Sequence, residues 1–414
     1  MVLRRYPSDA AELTSLGERK LLQRRELLLA SLAVLGCAED TGSPPRSPPA
    51  QVGTASRVTR STRQGEAATV AQAASAELSA RIPTGRSALA ERWPELGLLP
   101  WRNIVSGATP LVQIPAESIG LDALWLKQDA RCAPGYGGSK PRKLEALFGA
   151  ALADAVGEVC TFGARGSNHV AATAVHGQRI GVAVRAYLLP APLDDHGRRN
   201  LEICAAAGAQ LINAASQRTA EAQARSWLGH RPRSAIFPWG GTSPTGNLGC
   251  VAAALELAAQ FAARGLAPPD YVFVAGGTLG TAVGLELGLR AAQLPTRLVV
   301  MRASNHAPYT QRRFEQELAA TREKLIQVAP ELSRRLLGPP PRIDDSQLGG
   351  GYARPTPAAR RARAWLLERG GFPLDLTYTG KAFAGLLARA PLLAGKRVVF
   401  WQTLDPEPMQ GSEH

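Results

Sequence analysis

Short apolar runs alternate with longer helical stretches from about Arg86 to the C-terminus. The runs are almost entirely apolar, as is typical of strands that are covered on both faces of a parallel sheet. Roughly ten to twenty residues of helical character separate them, so the pattern predicts βαβ units and an α/β fold. The predicted strands are 124–128, 158–163, 182–189, 209–213, 234–239, 271–276, 296–302 and 397–402. The predicted helices lie near 142–156, 168–178, 194–207, 216–228, 245–264, 280–293, 310–326 and 358–369.

The first residues of the chain have a different pattern. A basic segment that includes Arg19 and Arg25 precedes a short apolar stretch, 27–35, which ends at Gly36-Cys37. This stretch is too short to span a membrane but is typical of a signal peptide. Its end resembles a bacterial lipoprotein signal, in which Cys37 would carry a lipid anchor at the cell envelope. An amphipathic helix packed on the folded domain is the alternative, which would leave the protein in the cytoplasm.

Residues 38–85 are rich in Pro, Ser, Thr, Ala and Gln. Such a segment has little apolar surface to bury, so we expect a disordered tether. The predicted organisation is therefore a signal-like segment at 1–37, a tether at 38–85 and a folded domain at 86–414.

Charge and composition narrow the classes of function. The chain has 48 Lys and Arg against 34 Asp and Glu, which gives a formal charge of +14. Since the arginines are spread along predicted helices and no nucleic-acid motif occurs, this charge favours small anionic ligands over nucleic acid. The five cysteines form no CxxC pair and the six histidines have no metal-ligand spacing, so neither a disulfide framework nor a metal site is predicted.

One lysine lies where a helix start can change its chemistry. The segment Gly137-Gly138-Ser139-Lys140 follows the first predicted strand and precedes a long alanine- and leucine-rich helix. The free N–H groups at a helix start favour the neutral form of a lysine amine, or help it to bind an anion. A neutral, desolvated amine is what Schiff-base chemistry requires. The alternative is a solvated surface lysine, since Lys is seldom buried.

Three further polar loops follow predicted strands, at the carboxyl ends where α/β folds bind ligands. In the loop 276–281 (GGTLGT), glycine N–H groups and threonine hydroxyls can converge on a phosphate. The segment 163–169 (GARGSNH) begins a helix, and an ordinary N-cap is its alternative explanation. The loop 376–381 (LTYTGK) brings three hydroxyls to another helix start. A lysine, an anion cup and a hydroxyl cluster at one edge suggest pyridoxal phosphate.

Five motifs carry a resemblance to a known family. They are GGSKPRKLE (137–145), GARGSNHVAAT (163–173), PWGGTS (238–243), AGGTLGTAVGL (275–285) and YTGKA (378–382). In this order they resemble the fold-type II pyridoxal-phosphate enzymes of the tryptophan synthase beta-like superfamily. Within it, the chain resembles the 1-aminocyclopropane-1-carboxylate deaminase and D-cysteine desulfhydrase group. The resemblance implies two open parallel-sheet αβα lobes with the cofactor in the cleft between them, a small lobe at roughly 143–245, a small amino-acid substrate and a homodimer.

The resemblance also assigns roles to single residues. Lys140 matches the Schiff-base lysine that moves the substrate's α-proton, and Lys143 is expected to be a structural neighbour. Asn168 matches the residue that hydrogen-bonds the cofactor's ring hydroxyl, and Ser167 matches a serine that acts at the substrate and helps to bind its carboxylate. The remaining matches are an active-site tyrosine at Tyr378, a phosphate cup formed by Gly277, Thr278, Leu279, Gly280 and Thr281, and a position facing the pyridine nitrogen at Thr379.

Residue 379 favours one activity of the group. The deaminases resemble one another in having a Glu there, which can keep the pyridine protonated, whereas Thr379 offers only a neutral hydrogen bond. A weaker electron sink suits elimination of a thiolate better than opening of a cyclopropane ring. We therefore expect D-cysteine desulfhydrase-like elimination to pyruvate and ammonia, with deamination or β-replacement as alternatives. A binding protein that has lost its chemistry is another alternative, because Leu404-Asp405 replaces the family's usual Gly-Gly turn.

Overall fold

The computed structural model of the protein describes residues 81–306 and 309–406, so the predicted signal at 1–37 and most of the predicted tether lie outside the described residues. The strands are β1 Leu111–Ile114, β2 Ala123–Gln128, β3 Glu158–Ala164, β4 Ala183–Leu189, β5 Gln210–Asn213, β6 Ser234–Ile236, β7 Tyr271–Gly276, β8 Arg297–Arg302, β9 Ile343–Asp344 and β10 Arg397–Gln402. The helices are α1 Gly85–Ala90, α2 Ser139–Ala153, α3 Asn168–Ile180, α4 Asp195–Ala206, α5 Gln217–Leu228, α6 Pro244–Ala263, α7 Gly280–Ala291, α8 Gln311–Val328, α9 Pro357–Gly370 and α10 Thr379–Arg389.

The strands form two sheets. The larger sheet has the order β1-β2-β10-β7-β8-β9 and is parallel except for the antiparallel pair β1–β2. The smaller sheet has the order β5-β4-β3-β6 and is entirely parallel. Helices cover these parallel strands, as βαβ connections require. The predicted α/β fold with two parallel-sheet lobes is therefore confirmed.

Two separate parts of the chain form the larger sheet. It forms β1 and β2, crosses into the smaller sheet for β3 to β6, and then returns through α6. The last strand, β10, inserts between β2 and β7 and pairs with both in parallel. Consequently the loops after β2, β10 and β7 lie next to one another at the carboxyl edge of the sheet.

Helix α6 is the core helix of the larger lobe. By length and composition it could cross a membrane, but 83% of its most apolar 18-residue window is buried inside the protein. It packs against α2 and α7. A Cβ on Gly249 would lie 1.7 Å from the Arg142 carbonyl oxygen, so only glycine allows α2 to approach α6 this closely. This packing fixes the position of the helix that carries Lys140.

Helix α2 and strands β1 and β9 are among the elements that differ from the predicted pattern. Helix α2 begins at Ser139, three residues before the predicted start, so Lys140 and Pro141 lie in its first turn, where proline is tolerated. Strands β1 and β9 were not predicted. β9 has only two residues, and Gln113 interrupts the four residues of β1, so neither forms an apolar run that is long enough to be recognised.

Candidate active site

Loops at the carboxyl ends of strands in both sheets line a cleft with an empty volume of about 1050 Å³, part of it open to solvent. The predicted site residues in its wall are Lys140, Ser167, Asn168, Gly277, Thr278, Leu279, Thr281 and Tyr378. These residues come from four separate loops between 137 and 378. The fold therefore brings together nearly all of the residues predicted from the sequence.

Lys140 lies at the start of α2, after a glycine whose backbone only glycine adopts easily. Gly138 has φ +90°, and its added Cβ would meet the Thr403 carbonyl oxygen at 2.8 Å. The Lys140 amine faces the cleft, with Nζ 3.4 Å from Ser139 Oγ. Burial lowers the pKa of Lys140. The amine is thus shifted toward the neutral form that carbonyl chemistry requires.

The loop between β7 and α7 forms the predicted phosphate cup. Leu279 has a left-handed backbone with φ 71° at the start of α7, a conformation that lets successive N–H groups converge on an anion. Thr278 Oγ1 lies 2.8 Å from Thr242 Oγ1, and Thr281 Oγ1 donates to Ser139 Oγ at 3.4 Å. Since Lys140 also contacts Ser139 Oγ, the lysine and the cup share this hydroxyl.

Lys143 lies beneath this cup, a position that the sequence pattern did not predict. Its Nζ donates to the Gly240 carbonyl oxygen at 3.2 Å and to Thr242 Oγ1 at 3.4 Å. A Cβ on Gly280 would come within 2.8 Å of this amine. Burial, together with the nearby Lys140, lowers the pKa of Lys143 to about 7. The helical spacing from Lys140 was the available signal, because residues i and i+3 lie on one helix face.

The start of α3 forms another part of the wall. Ser167 is its N-cap, and Ser167 Oγ accepts a long hydrogen bond from the Val170 N–H at 3.5 Å. The N-cap interpretation of this serine is therefore correct, and Ser167 also lines the cleft. The first N–H groups of α3 and its dipole favour a carboxylate at this place.

Asn168 lies in a network of side chains that the sequence did not reveal. Its Oδ1 is 3.1 Å from Tyr136 Oη, 2.6 Å from His196 Nε2 and 2.8 Å from Asn200 Nδ2. These three partners come from the lysine loop and from α4. No local pattern marks them, because they meet Asn168 only through the packing of α3 on α4.

Aromatic residues form the wall around Tyr378. The Tyr378 ring makes an edge contact with Tyr352 at a centroid distance of 5.9 Å, and Tyr352 lies 5.5 Å from the His306 ring. Burial and the neighbouring Tyr352 raise the pKa of Tyr378 well above its usual value. Tyr378 therefore keeps its proton at neutral pH. His306 and Tyr352 also line the cleft and were missed, because they lie in irregular segments.

Thr379 is not among the residues that line the cleft. It is fully buried, and its hydroxyl donates to Asp375 Oδ2 at 2.5 Å. The Asp375 carboxylate also accepts the backbone N–H groups of Thr377, Tyr378 and Thr379. Asp375 thereby caps the start of α10 and draws the Thr379 side chain toward itself. The predicted contact of Thr379 with the pyridine nitrogen stays a prediction.

The turn after β10 reaches the cleft, as its altered sequence suggested. Leu404 is 7% exposed and lines both the main cleft and a second cavity of about 650 Å³. Asp405 lines the second cavity. The Ser139 N–H donates to the Thr403 carbonyl oxygen at 2.9 Å, which anchors the turn to the start of α2. Leu404 therefore separates the two cavities.

The residues present fit pyridoxal phosphate. An amine with a lowered pKa faces the cleft, and a hydroxyl-lined cup lies beside it at a helix start. The loop at Gly240 packs closely against the cup, because a Cβ on Gly240 would lie 2.3 Å from Thr278 Oγ1. Lys140 would bind the cofactor's carbonyl group, the cup and Lys143 its phosphate, and Asn168 its ring hydroxyl.

Fold and site together define a pyridoxal-phosphate-dependent enzyme. The family model described as "Pyridoxal-phosphate dependent enzyme" matches residues 104–403, and the chain belongs to this family. Within it, the chain is a member of the 1-aminocyclopropane-1-carboxylate deaminase and D-cysteine desulfhydrase group. The predicted family, cofactor and enzymatic nature are therefore confirmed.

Three relatives illustrate the range of this group. A nocardicin C-9′ epimerase of Nocardia uniformis subsp. tsuyamanensis is 32% identical, over 74% of this chain and 93% of the relative. A putative 1-aminocyclopropane-1-carboxylate deaminase of Pyrococcus horikoshii is 31% identical, over 76% and 93% respectively. A D-cysteine desulfhydrase of Yersinia enterocolitica is 32% identical, over 71% and 89%.

The fold is also similar to that of solved structures. The crystal structure of an ACC deaminase homologue has a TM-score of 0.64 and 27% sequence identity. The match covers 76% of this chain and 94% of that one. A threonine deaminase, with a TM-score of 0.55 and 20% identity, shares the fold.

Proposed function

We propose that the protein catalyses elimination from a small amino acid, in the manner of a D-cysteine desulfhydrase, with pyruvate, ammonia and sulfide as products. The observation that carries this choice is residue 379, where a threonine hydroxyl engaged by Asp375 stands in place of a carboxylate. A carboxylate facing the ring nitrogen would keep that nitrogen protonated and strengthen electron withdrawal. Without it, loss of a good leaving group is easier than opening of a carbon ring.

Each nearby side chain has a role in this proposal. Bound pyridoxal phosphate supplies the electron sink that makes the α-proton of an amino acid acidic. Lys140 Nζ, whose lowered pKa favours the neutral amine, removes that proton. Ser167 and the first N–H groups of α3 bind the substrate carboxylate. The Tyr378 hydroxyl, which stays protonated because burial raises its pKa, donates to the departing thiolate.

Epimerisation of an amino-acid centre is the second candidate. It is favoured by the similarity to the nocardicin C-9′ epimerase, which covers 93% of that relative. Both reactions begin with removal of the α-proton by Lys140. In an epimerase, a second acid returns a proton to the opposite face, and the protonated Tyr378 hydroxyl is the candidate in the cleft.

One experiment separates the candidates. The cofactor-loaded protein is incubated in D₂O with D-cysteine, L-cysteine or 1-aminocyclopropane-1-carboxylate, and pyruvate, 2-oxobutyrate, sulfide and α-deuterium are measured. Elimination predicts pyruvate and sulfide from D-cysteine. Epimerisation predicts α-deuterated, inverted cysteine without pyruvate. The desulfhydrase proposal fails if a protein that has bound the cofactor forms neither pyruvate nor sulfide from D-cysteine.

We also propose a homodimer, from the family resemblance, and a lipid anchor at Cys37 with an envelope location, from the N-terminal sequence pattern. Neither rests on a contact among the described residues. Light scattering of the purified protein tests the dimer, and a monomeric mass would contradict it. Mass spectrometry of the protein from its native membrane fraction tests the lipid, and an unmodified peptide containing Cys37 would contradict that part.

A further inference from the structure

We propose that Tyr136, His196 and Asn200 are positioning residues that fix the side-chain amide of Asn168 with its Nδ2 toward the cofactor's ring oxygen. The inference rests on the proposed role of Asn168 at that oxygen. It does not depend on which substrate the enzyme uses.

The orientation follows from one backbone carbonyl. Asn200 Nδ2 is 2.8 Å from the Gly166 carbonyl oxygen, which can only accept a hydrogen bond. The Asn200 atom at this place must therefore be the amide nitrogen. The same nitrogen is 2.8 Å from the amide atom of Asn168, which must then be the acceptor, Oδ1. Gly166 thus sets the orientation of both amides.

Tyr136 agrees with this assignment. Its hydroxyl lies 2.9 Å from Asn200 Oδ1 and 3.1 Å from Asn168 Oδ1, so its single hydrogen can be shared between these two acceptors. Burial raises the pKa of Tyr136 above its usual value, so the hydroxyl keeps its proton. A flipped Asn168 amide would no longer offer this hydroxyl an acceptor.

His196 adds the shortest contact of the network. Its Nε2 is 2.6 Å from Asn168 Oδ1, so this ring nitrogen must carry a hydrogen. With Tyr136 and Asn200, three donor groups surround one oxygen. In the opposite orientation the Asn168 NH₂ group would face the Asn200 NH₂ group, which the Gly166 carbonyl oxygen fixes as a donor. The network therefore directs Nδ2 away from itself, into the cleft that Asn168 lines.

The three residues act from behind Asn168. His196 and Asn200 line the second cavity and are not among the residues that line the main cleft, while Tyr136 lines both. Neither His196 nor Asn200 therefore lines the cleft in which the cofactor is proposed to bind. A fixed N–H donor at the ring oxygen favours its ionised form, because a hydrogen bond to a charged form lowers the pKa. The network therefore lowers the pKa of the cofactor's ring oxygen by orienting Asn168.

The test measures cofactor binding and its visible spectrum, neither of which needs turnover. The variants are His196→Ala, His196→Gln, Asn200→Ala and Tyr136→Phe, with the exposed His230→Ala as the matched control. Pyridoxal 5′-phosphate is titrated into each full-length apo-protein, and the pH midpoint of the visible absorbance change is recorded. Circular dichroism confirms the fold.

We expect His196→Ala and Asn200→Ala each to weaken cofactor binding roughly tenfold and to shift the pH midpoint upward, as loss of about one oriented hydrogen bond implies. His196→Gln should recover most of the effect, because a glutamine NH₂ can donate to Asn168 Oδ1. A purely structural role would lower thermal stability without shifting the midpoint.

Unchanged binding and an unchanged midpoint in folded His196→Ala protein would overturn the inference, and so would His196→Gln behaving like His196→Ala. Because His196 is only half-buried, its variants are expected to fold. They therefore test the inference even if Asn200→Ala does not fold. A wild-type protein that binds the cofactor but does not convert D-cysteine would refute the desulfhydrase proposal and leave this inference standing.

Discussion

Arg142 binds Asp129 through two parallel hydrogen bonds, with Nε 3.0 Å from Oδ2 and Nη2 2.7 Å from Oδ1. Both side chains are 1% exposed. Arg142 also pairs with Glu256 at 2.9 Å, and Glu256 pairs with Lys127. The Trp401 indole donates to Asp129 Oδ2 at 2.7 Å. This buried network joins β2, β10 and α6 to the helix turn that carries Lys140.

Removal of Arg142 should destabilise the fold strongly. Arg142→Met leaves Asp129 and Glu256 buried with less balancing charge, for which breaking a buried pair costs about 3–5 kcal/mol. The free energy of unfolding of the apo-protein in urea measures the loss. Arg198→Met is the matched control, since its pair with Asp195 is exposed and should contribute at most about 1 kcal/mol. Equal losses in the two variants would contradict this prediction.

Acid should weaken the same network. Burial alone would raise the pKa of Glu256, but attraction from Arg142 and Lys127 outweighs burial and lowers it to about 2. Because the folded pKa lies below the unfolded value of about 4.3, the stabilisation is complete above that value and is lost as pH falls toward 2. Urea unfolding between pH 6 and 3 should show this decline. Glu256→Gln should have a flatter profile there, and a decline as steep as that of the wild type would assign the effect to other carboxyl groups.

The two lysines of α2 should have separable roles. Lys140→Ala should lose the visible absorbance of the covalently bound cofactor while the fold stays intact. Lys143→Met should keep that absorbance at saturating cofactor. It should bind pyridoxal 5′-phosphate roughly ten- to a hundredfold more weakly, because the amine below the cup no longer contributes a charge-assisted contact to the phosphate. Absorbance titrations measure both effects. If Lys143→Met removes the band and Lys140→Ala retains it, the assignments are reversed.

The turn after β10 should influence substrate choice. Leu404→Gly combined with Asp405→Gly removes the wall between the cleft and the second cavity, so larger amino acids should gain relative to small ones. The ratio of kcat/KM values for a series of amino acids of increasing size is the measurement. Leu404→Met is the volume-conserving control. An unchanged profile in the double glycine variant would show that this wall does not contact the substrate.

The sequence determined the elements and the chemical class of the site. The central strands β7 and β10 are largely apolar because both of their faces are buried, and such runs are visible without coordinates. The lysine loop and the GGTLGT cup could also be recognised from the sequence. Helix starts and glycine loops bind anions through their own backbone N–H groups, which do not depend on distant residues. Short strands such as β9 were not, because two residues carry no periodicity.

Only the tertiary structure decided which distant groups meet. The insertion of β10 between β2 and β7 brings Thr403 and Leu404 against Gly138, although more than half of the described chain lies between them in sequence. Burial in the assembled lobes is the main cause that lowers the pKa of Lys143. The amide of Asn168 is likewise oriented by partners on other elements. Local periodicity specifies strands and helices, whereas hydrogen-bond partners and desolvation depend on how those elements pack.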